Sequence, residues 1–480
     1  RPEPAAGDDG PLNRSLPTSM ALPPKPLAHW QAELAAGRTT SAALTEQALD
    51  AALHGSEARA TFIAVHADTA RASARAVDGL RAAGVPLPPL AGIPITVKDL
   101  FDQQGQVTRA GSRVLQDASP AQADSVAVQR LRAVGLVIVG RTNMTEFAYS
   151  GLGLNPHHGT PRNPWGRETG RIPGGSSSGA AISVTDGMAA AAIGTDTGGS
   201  VRIPSALCGL TGFKPTARRV PLQGALPLSA ALDSIGPLAR TVDCCARLDA
   251  VLAGTPAPGQ PRTATLAGAT LALPRTLVRE GMDATVAAAF DQACQALSAA
   301  GARIVEIDFP EFAELAQINR LGGYTAAEAW AWHAKLIEER GEEYDPRVVS
   351  RIRRGATMSA AHYLELGAAR VRWIAAVERR IAAAHAHALV LPTVPVVAPA
   401  IADLQDSDDA YGAANLLMLR NPTLINFLDG CALSLPCHRP GDAPVGLMLA
   451  APAGGDADLL ALGTAAEAAL ATAGLGAGAG

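Results

Sequence analysis

Three segments of the chain carry apolar residues at the three- and four-residue spacing of an amphipathic helix. Their apolar stripes are Leu44, Ala48, Ala51 and Ala52; Ala127, Leu131 and Val134; and Val286, Phe290, Ala293 and Leu297. We expect Ser41 to cap the first helix, and Asp124 or Ser125 to open the second. Gly135 and Gly301 follow the last two stripes, where they are expected to end those helices.

Four short apolar runs lie near such helices and are interpreted as buried strands. They comprise residues 93–97, 136–139, 303–307 and 388–391. Strands that are apolar throughout are typical of a sheet covered on both faces, and their alternation with helices predicts an α/β fold with a largely parallel sheet. The first run places Lys98 at the end of its strand.

The two ends of the chain lack this patterning. Residues 1–27 are rich in Pro, Gly and Asp, so we expect a flexible N-terminal arm or a processing remnant. The arm lacks the basic start and apolar centre of a secretory signal, and Met20 within it is a candidate natural start. Residues 476–480 are expected to form a flexible tail.

Composition argues against several classes of protein. Apolar residues make up 48% of the chain, which argues against intrinsic disorder, and charged residues only 18%, below the roughly 25% of soluble domains. A formal net charge of −4 is too balanced for an electrostatic nucleic-acid or membrane binder. With 4% aromatic residues, a base-stacking surface is not expected either.

Cysteine usage and hydropathy bear on the location of the protein. The six cysteines show no spacing typical of a zinc site. We interpret them as free, buried thiols in a reducing compartment, and therefore expect a cytoplasmic protein. The chain has no uninterrupted apolar run of about 18 residues, so no membrane span is expected.

Residues 174–216 form a segment rich in glycine and serine that allows four interpretations. A flexible linker conflicts with the apolar runs 180–184 and 188–193. A phosphate-binding loop needs a Gly-Lys-Ser/Thr motif, which this segment lacks. A Gly-x-Ser-x-Gly elbow around Ser200 fails because Arg202 occupies the second glycine position. The fourth interpretation is a serine hydrolase whose nucleophile is presented by a Gly-Gly turn.

The hydrolase interpretation has a physical basis in the sequence Thr197-Gly198-Gly199-Ser200. Acyl transfer needs fixed N–H donors for the tetrahedral oxyanion, and glycines allow backbone amides to approach a substrate closely. Losing one such donor typically lowers the rate by ~10²–10³. Ser200 would therefore lie beside its own oxyanion hole.

A nucleophilic serine also needs a base, and two kinds of candidate are present. Among the histidines, the nearest pair is His157 and His158, and another pair, His385 and His387, lies near a strand start. Surface or structural roles are the simpler interpretation of all four. Lys98 can act as a base only when neutral, which requires its pKa to fall from ~10.4 to about 7–8. A strand end inside a core with few charges favours such a shift.

Several further blocks of sequence resemble the amidase signature family of serine hydrolases. The blocks are residues 94–99 (PITVKD), 143–148 (NMTEFA), 159–164 (GTPRNP), 229–237 (SAALDSIGP), 239–243 (ARTVD), 391–395 (LPTVP) and 444–449 (PVGLML). The resemblance implies one domain over residues 28–475, with a signature core at about 85–245. It further implies a mixed, largely parallel β-sheet surrounded by α-helices.

The resemblance also implies a Ser–cis-Ser–Lys triad. Ser200 matches the nucleophile, Ser176 matches the bridging serine that follows a cis peptide bond, and Lys98 matches the base. The separation between Ser176 and Ser200 matches the family spacing, whereas Ser177 and Ser178 do not. Neither a metal ion nor an organic cofactor is expected.

The resemblance also implies roles for residues around the triad. The amides that match the oxyanion hole are those of Thr197, Gly198, Gly199 and Ser200. Ser177 and Arg202 match supporting positions next to the reacting groups. From proximity alone, we expect Asp196 either to pair with Arg202 or to cap a turn.

Three functions fit this machinery. The first is hydrolysis of a C–N amide bond in a small or medium, neutral or aryl substrate. The second is hydrolysis of a carbamate (urethane) or an aryl ester by the same triad. The third is a glutamine-hydrolysing subunit of a tRNA amidotransferase, which needs a partner chain. We expect a small-molecule substrate, no nucleic-acid or membrane partner, and a monomer or homodimer.

The segment 310–375 is expected to hold much of the substrate specificity. It concentrates aromatic residues in a chain that has few, namely Tyr324, Trp330, Trp332, Tyr344 and Trp373. Helical core packing and a pocket wall are both consistent with them. If they line a pocket, an apolar or aryl substrate is favoured.

Overall fold

The computed structural model describes residues 21–255 and 264–476. Its centre is an 11-stranded sheet in the order β1-β3-β2-β4-β6-β5-β10-β11-β9-β7-β8. The strands are β1 (Phe62–Val65), β2 (Pro94–Lys98), β3 (Val137–Thr142), β4 (Ala191–Asp196), β5 (Thr211–Lys214), β6 (Ser234–Ala239), β7 (Thr270–Pro274), β8 (Arg303–Ile307), β9 (Ala388–Pro392), β10 (Cys431–Pro436) and β11 (Gly446–Ala451). All four predicted strands are therefore present, shifted by at most three residues at either end.

The sheet is mixed, and its parallel pairs form two blocks. One block is β3-β2-β4 and the other is β9-β7-β8. The strands between these blocks, and the edge strand β1, pair antiparallel. The single-domain α/β architecture expected from the sequence is confirmed.

Helices cover both faces of the sheet. They are α1 (Leu27–Ala35), α2 (Ser41–His54), α3 (Ala58–Thr61), α4 (Ala67–Ala82), α5 (Val126–Ala133), α6 (Ser178–Thr185), α7 (Arg202–Cys208), α8 (Val242–Ala253), α9 (Ala284–Ala299), α10 (Pro310–Ile318), α11 (Gly323–Arg340), α12 (Pro346–Arg353), α13 (Ala360–Ala383), α14 (Ile401–Gln405), α15 (Asp408–Phe427) and α16 (Asp456–Thr472). In β9, Ala388 and Val390 belong to one hydrophobic cluster, whereas Leu389 and Leu391 belong to another. Because side chains alternate along a strand, these clusters lie on opposite faces.

The predicted start of α2 is wrong by one residue. Thr40, not Ser41, is the cap, and its side chain accepts a hydrogen bond from the Ala43 amide. The Ser41 hydroxyl is buried and donates instead to the Gly92 carbonyl at 2.9 Å. The predicted cap of α5 is confirmed at Ser125, the cap of α9 is Asp283, and Gly135 and Gly301 follow these helices in the left-handed region.

The predicted boundary of the N-terminal arm lies too far along the chain. Leu22 is buried and its amide donates to the Gly187 carbonyl at 2.9 Å, so packing extends at least to residue 22. The rest of the arm, residues 1–20 with Met20, and the predicted tail residues 477–480 lie outside the described residues. Gly476, the first residue of that tail, donates to the His438 carbonyl at 2.8 Å.

All six cysteines lie in the described ranges and are free thiols; Cys294 is half-buried and the other five are buried. Among the helices that the structure describes, none combines the length and the apolar character needed to cross a membrane.

The strand directions bring several polar residues to one edge of the sheet. Strands β2 and β4 are parallel, and β6 is antiparallel to both β4 and β5. The carboxyl ends of β2, β4 and β5 therefore share an edge with the start of β6. Lys98, Asp196 and Lys214 end the first three of these strands.

Candidate active site

Lys98 is a fully buried lysine at the end of β2. Its Nζ lies 2.7 Å from the Ser176 Oγ and 2.9 Å from the Thr195 Oγ1. Strand β2 is buried along its whole length, which carries the amine into the interior. The structure thus brings together the predicted base and the predicted bridging serine.

Burial lowers the pKa of Lys98 to about 7. Desolvation is the main cause, and the carboxylates of Asp233 and Asp196 act in the opposite direction. The adjacent Asp99 is engaged elsewhere, because the Arg141 Nε donates to its Oδ1 at 2.7 Å. At neutral pH the Lys98 amine is therefore uncharged far more often than that of an exposed lysine.

Ser176 is held by its backbone as well as by Lys98. The Gly175–Ser176 peptide bond is cis. The Thr145 amide donates to the Ser176 carbonyl at 3.0 Å, and the Gly175 amide donates to the Gly151 carbonyl at 2.8 Å. These bonds fix the chain on both sides of the hydroxyl.

Ser177 connects Ser176 to Ser200 through its backbone and is anchored to β4 through its side chain. Its amide donates to the Ser200 carbonyl at 3.3 Å, and its Oγ donates to the Thr195 carbonyl at 3.4 Å. A Cβ on Gly194 would lie 2.6 Å from the Ser177 Oγ, so the strand beside this serine must carry a glycine.

Ser200 lies in the turn between β4 and α7 and lines a large cavity. Within the part of the chain that the structure describes, its Oγ makes no hydrogen bond. The predicted link between Ser176 and Ser200 is therefore not formed in this conformation.

One of the four predicted oxyanion amides points elsewhere. Gly199 has φ +123°, and its amide donates to the Asp196 Oδ1 at 2.9 Å. A Cβ there would lie 2.6 Å from Pro422, so both the φ angle and the space require glycine. The amides of Gly198 and Ser200 have no acceptor among the described residues, and both residues line the cavity.

Thr197 is fixed through its side chain. The Thr197 Oγ1 donates to the Asp233 Oδ1 at 2.5 Å. Asp233 also accepts from the amides of Leu228 and Ser229. Desolvation raises the pKa of Asp233 to about 6 despite these donors. The carboxyl therefore shapes the turn and lies close enough to act on Lys98.

Asp196 both pairs with Arg202 and caps a turn, so the two expectations hold together. Fully buried Arg202 donates from Nη2 to the Asp196 Oδ1 at 2.8 Å, and Asp196 also accepts from the amides of Gly199 and Val201. Desolvation opposes ionisation of Asp196, but the Arg202 charge outweighs it and lowers the pKa. Asn426 bridges the pair, donating to the Asp196 Oδ1 and accepting from Arg202.

The cavity above Ser200 has a volume of about 640 Å³. Its walls come largely from α10, α11 and α15, so part of the predicted specificity segment 310–375 lines it. Of the five predicted aromatics, Tyr324 lines the cavity. Trp373 and Tyr344 are buried in the core, and Trp332 is 40% exposed.

Comparison with known proteins decides the family. The Amidase family model matches residues 43–460. The chain belongs to the amidase family. It is an amidase signature hydrolase that acts on C–N amide bonds.

Relatives within the amidase family span nearly the whole chain. It is 38% identical to 2-amino-5-chloromuconic acid deaminase of Comamonas testosteroni, over 83% of this chain and 86% of that protein. It is 35% identical to a glutamyl-tRNA(Gln) amidotransferase subunit of Symbiobacterium thermophilum, over 86% of this chain and 90% of the other. A crystal structure of an amidase superposes with a TM-score of 0.83 at 32% identity, over 92% of this chain and 99% of the other.

The histidines that were alternative candidates for the base make no hydrogen bond to the predicted triad residues in the described part of this amidase. The His157 Nε2 lies 2.9 Å from the Glu146 Oε1. The His387 Nδ1 accepts a hydrogen bond from the Thr270 amide. In the described structure neither these histidines nor His158 and His385 hydrogen-bond Lys98, Ser176 or Ser200. Across residues 21–255 and 264–476, no group of three or more His, Cys, Asp or Glu side chains could hold a metal ion.

Sequence reasoning missed three residues that organise the site: Thr195, Asp233 and Asn426. Thr195 could have been found from the sequence, because it is a polar residue within the largely apolar strand β4. Asp233 lies in one of the family-like blocks, but nothing in the spacing linked it to Lys98. Asn426 is more than 200 residues from Asp196 and left no signal.

Proposed function

We propose that this protein hydrolyses a small or medium amide through an acyl-enzyme on Ser200. Lys98 acts as the base and Ser176 relays the proton. The observation that carries the proposal is the 2.7 Å contact between the buried Lys98 Nζ and the Ser176 Oγ, together with the lowered lysine pKa of about 7. A charged lysine could only donate in this contact, whereas a neutral amine can accept.

The reaction proceeds by proton transfer and two acyl transfers. Neutral Lys98 takes the Ser176 proton while Ser176 takes the Ser200 proton, and the Ser200 oxygen attacks the amide carbon. The oxyanion forms beside the free amides of Gly198 and Ser200. The relay then returns the proton to the leaving nitrogen, and the C–N bond breaks. Water, deprotonated by the same relay, releases the acid and restores Ser200.

The Ser176–Ser200 contact is completed in this proposal when substrate enters. We infer that a change in the Ser200 side-chain rotamer forms this contact, since the Ser177 amide already ties the Ser200 backbone to the residue after Ser176. Catalytic hydrogen bonds commonly tighten only in the substrate complex. Binding and positioning of substrate are thus coupled to activation of the nucleophile.

Two other substrate classes compete for this site. A carbamate or an aryl ester presents the same carbonyl to Ser200, and the relay does not require nitrogen as the leaving atom. Glutamine is the third candidate, which the likeness to amidotransferase subunits favours. The apolar cavity walls support an amide, carbamate or ester with an apolar part over free glutamine.

Trapping the acyl-enzyme tests the proposal. Purified protein is mixed with aryl amides, an aryl carbamate, an aryl ester and glutamine, and intact and peptide masses are recorded. We expect an acyl increment on the peptide that holds Ser200, no turnover by Ser200→Ala, and normal turnover by the control Ser205→Ala. Ser205 lies on α7, where its Oγ donates to the Val201 carbonyl. Turnover by Ser200→Ala, or ammonia release from glutamine alone, would overturn the assignment.

A further inference from the structure

The cavity above Ser200 combines apolar walls with positive charge. Three arginines line it, namely Arg351, Arg354 and Arg420, and no Asp or Glu is among its lining residues in the described chain. Leucines and the rings of Phe312 and Phe427 form much of the remaining wall. A cavity with this lining suits a ligand that is apolar at one end and anionic at the other.

Arg351 is oriented by neutral groups. Its Nε donates to the Arg347 carbonyl at 3.0 Å, and its guanidinium lies 5.3 Å from the centre of the Tyr149 ring. Its Nη2 donates to the Tyr411 hydroxyl at 3.3 Å. Arg347, one turn earlier on α12, pairs with Asp408 at 2.7 Å. Arg347 thus has a carboxylate partner, whereas Arg351 has none among the described residues.

Arg420 and Arg354 also donate to neutral acceptors, the half-buried Arg420 twice and the exposed Arg354 once. The half-buried Arg420 donates from Nε to the Asn421 Oδ1 and from Nη2 to the Val278 carbonyl. Arg354 donates from Nη2 to the Arg320 carbonyl. Within the described residues no carboxylate oxygen lies within 4.0 Å of these guanidinium groups or of Arg351; Glu280 acts on Arg420 only from farther away.

We propose that the substrate hydrolysed at Ser200 carries a carboxylate, which the arginines of this cavity bind. The inference rests on the proposed function and narrows its substrate class from a small or medium amide to one that carries a carboxylate, in place of the neutral substrate expected from the sequence. Arginine forks match carboxylates geometrically, and side chains already fixed by neutral acceptors lose little freedom on binding. The apolar part of the substrate packs against the leucines and phenylalanines.

Matched pairs of substrates test the proposal. The monoanilides of succinic, glutaric and adipic acid are compared with anilides in which an isopropyl group replaces the carboxylate, and aniline release is followed. We expect the best acid to have a kcat/KM at least ~10-fold above its neutral partner, with most of the difference in KM. Equal or better use of every neutral partner would overturn the proposal.

Substitutions locate the recognition in the cavity. Arg351→Met, Arg420→Met and Arg354→Met are compared with the control Arg353→Met, which removes an exposed charge from α12 outside the cavity. At least one of the three cavity variants should raise KM for the acid ~10- to 100-fold and leave KM for the neutral anilide nearly unchanged. Preference retained in all three, or lost equally in the control, would contradict the proposal.

Binding without turnover separates this inference from the proposed function. Calorimetry with the Ser200→Ala protein measures affinity for the same acid and neutral anilides. Tighter binding of an acid, lost in a cavity arginine variant, supports the carboxylate site even if wild-type protein hydrolyses neither compound. Hydrolysis of neutral anilides with no tighter binding of any acid would overturn the carboxylate site and leave the proposed function intact.

Discussion

Two fully buried lysines, Lys98 and Lys214, end strands on the same edge of the sheet, with β4 and β6 between them. Desolvation is the main cause of the lowered pKa in both, to about 7 in Lys98 and about 8 in Lys214. Their contacts differ. The Lys98 Nζ meets two hydroxyls, whereas the Lys214 Nζ donates to the Pro215 carbonyl at 2.6 Å and to the Ser234 Oγ.

The comparison separates two requirements for a lysine base. Burial lowers the pKa, and both sites meet that requirement. The second requirement is a hydroxyl that leads from the amine to the nucleophile. Lys214 also contacts a hydroxyl, that of Ser234 at 3.3 Å, but only the Lys98 partner Ser176 is followed by a residue, Ser177, whose amide donates to the Ser200 carbonyl. Of these two lysines we therefore propose Lys98 as the base. Lys214 instead lies near the Arg202–Asp196 pair.

Removing each amine gives the largest expected difference. Lys98→Met should lower kcat/KM by ~10²–10⁴, the usual contribution of a general base. Lys214→Met should lower it by less than ~10-fold, because that amine does not reach the reacting groups in this account. Initial rates with one aryl amide measure both. Equal losses of kcat/KM in the two variants would contradict the proposal that Lys98, and not Lys214, is the base.

The lowered pKa values of Lys98 and Lys214 should also make the free energy of unfolding depend on pH. In the folded protein the pKa of Lys98 is about 7, against ~10.4 in an unfolded chain. Between these values the unfolded chain binds more protons, so this lysine makes stability rise with pH across that window and adds no pH dependence below it. Lys214 acts in the same direction from about 8 upward.

Lys98→Met should therefore flatten the rise in unfolding free energy between pH 7 and 9, by at most ~1.4 kcal/mol per pH unit. Lys214→Met should flatten mainly the upper part of that range. Urea unfolding at half-unit pH steps provides the curves. An unchanged slope in Lys98→Met would show that its amine titrates as in the unfolded chain.

An effect on the rate smaller than that of Lys98→Met is expected at Thr195, which positions the Lys98 amine. Thr195→Val removes the hydroxyl at 2.9 Å from Nζ, which we expect to cost ~10-fold in kcat/KM. It should also move the pH midpoint of kcat/KM downward, since an acceptor of the charged amine is lost. Thr195→Ser should restore both. A rate loss without a shift in midpoint would indicate a packing role only.

The sequence was sufficient for those parts of the site that depend on local pattern. The apolar run before Lys98 predicted a buried strand end, and the lowered pKa follows from that burial. The Gly-Gly turn before Ser200 was also visible. For the whole fold, the alternation of helices and strands indicated a sheet covered on both faces, but the antiparallel centre requires pairing between distant strands.

The sequence-based predictions failed at positions where contacts between distant parts of the chain determine the local structure. Whether the Gly199 amide faces the substrate or the Asp196 carboxylate depends on a turn whose φ is not encoded by the residue types alone. Ser41 and Thr40 are both residue types that cap helices well. Thr40 is the cap of α2, because the Ser41 hydroxyl is already bonded to the Gly92 carbonyl. Asn426 reaches Asp196 only after α15 has packed against the sheet.

Direct titration of the lysine amines tests the central claim. The chain has four lysines, Lys25, Lys98, Lys214 and Lys335, so incorporation of [¹³Cε]-lysine gives four NMR signals that single Lys→Met variants assign. The account predicts a Lys98 signal that titrates with a midpoint near 7 and a Lys214 signal near 8. A Lys98 amine that remains charged above pH 9 would contradict it.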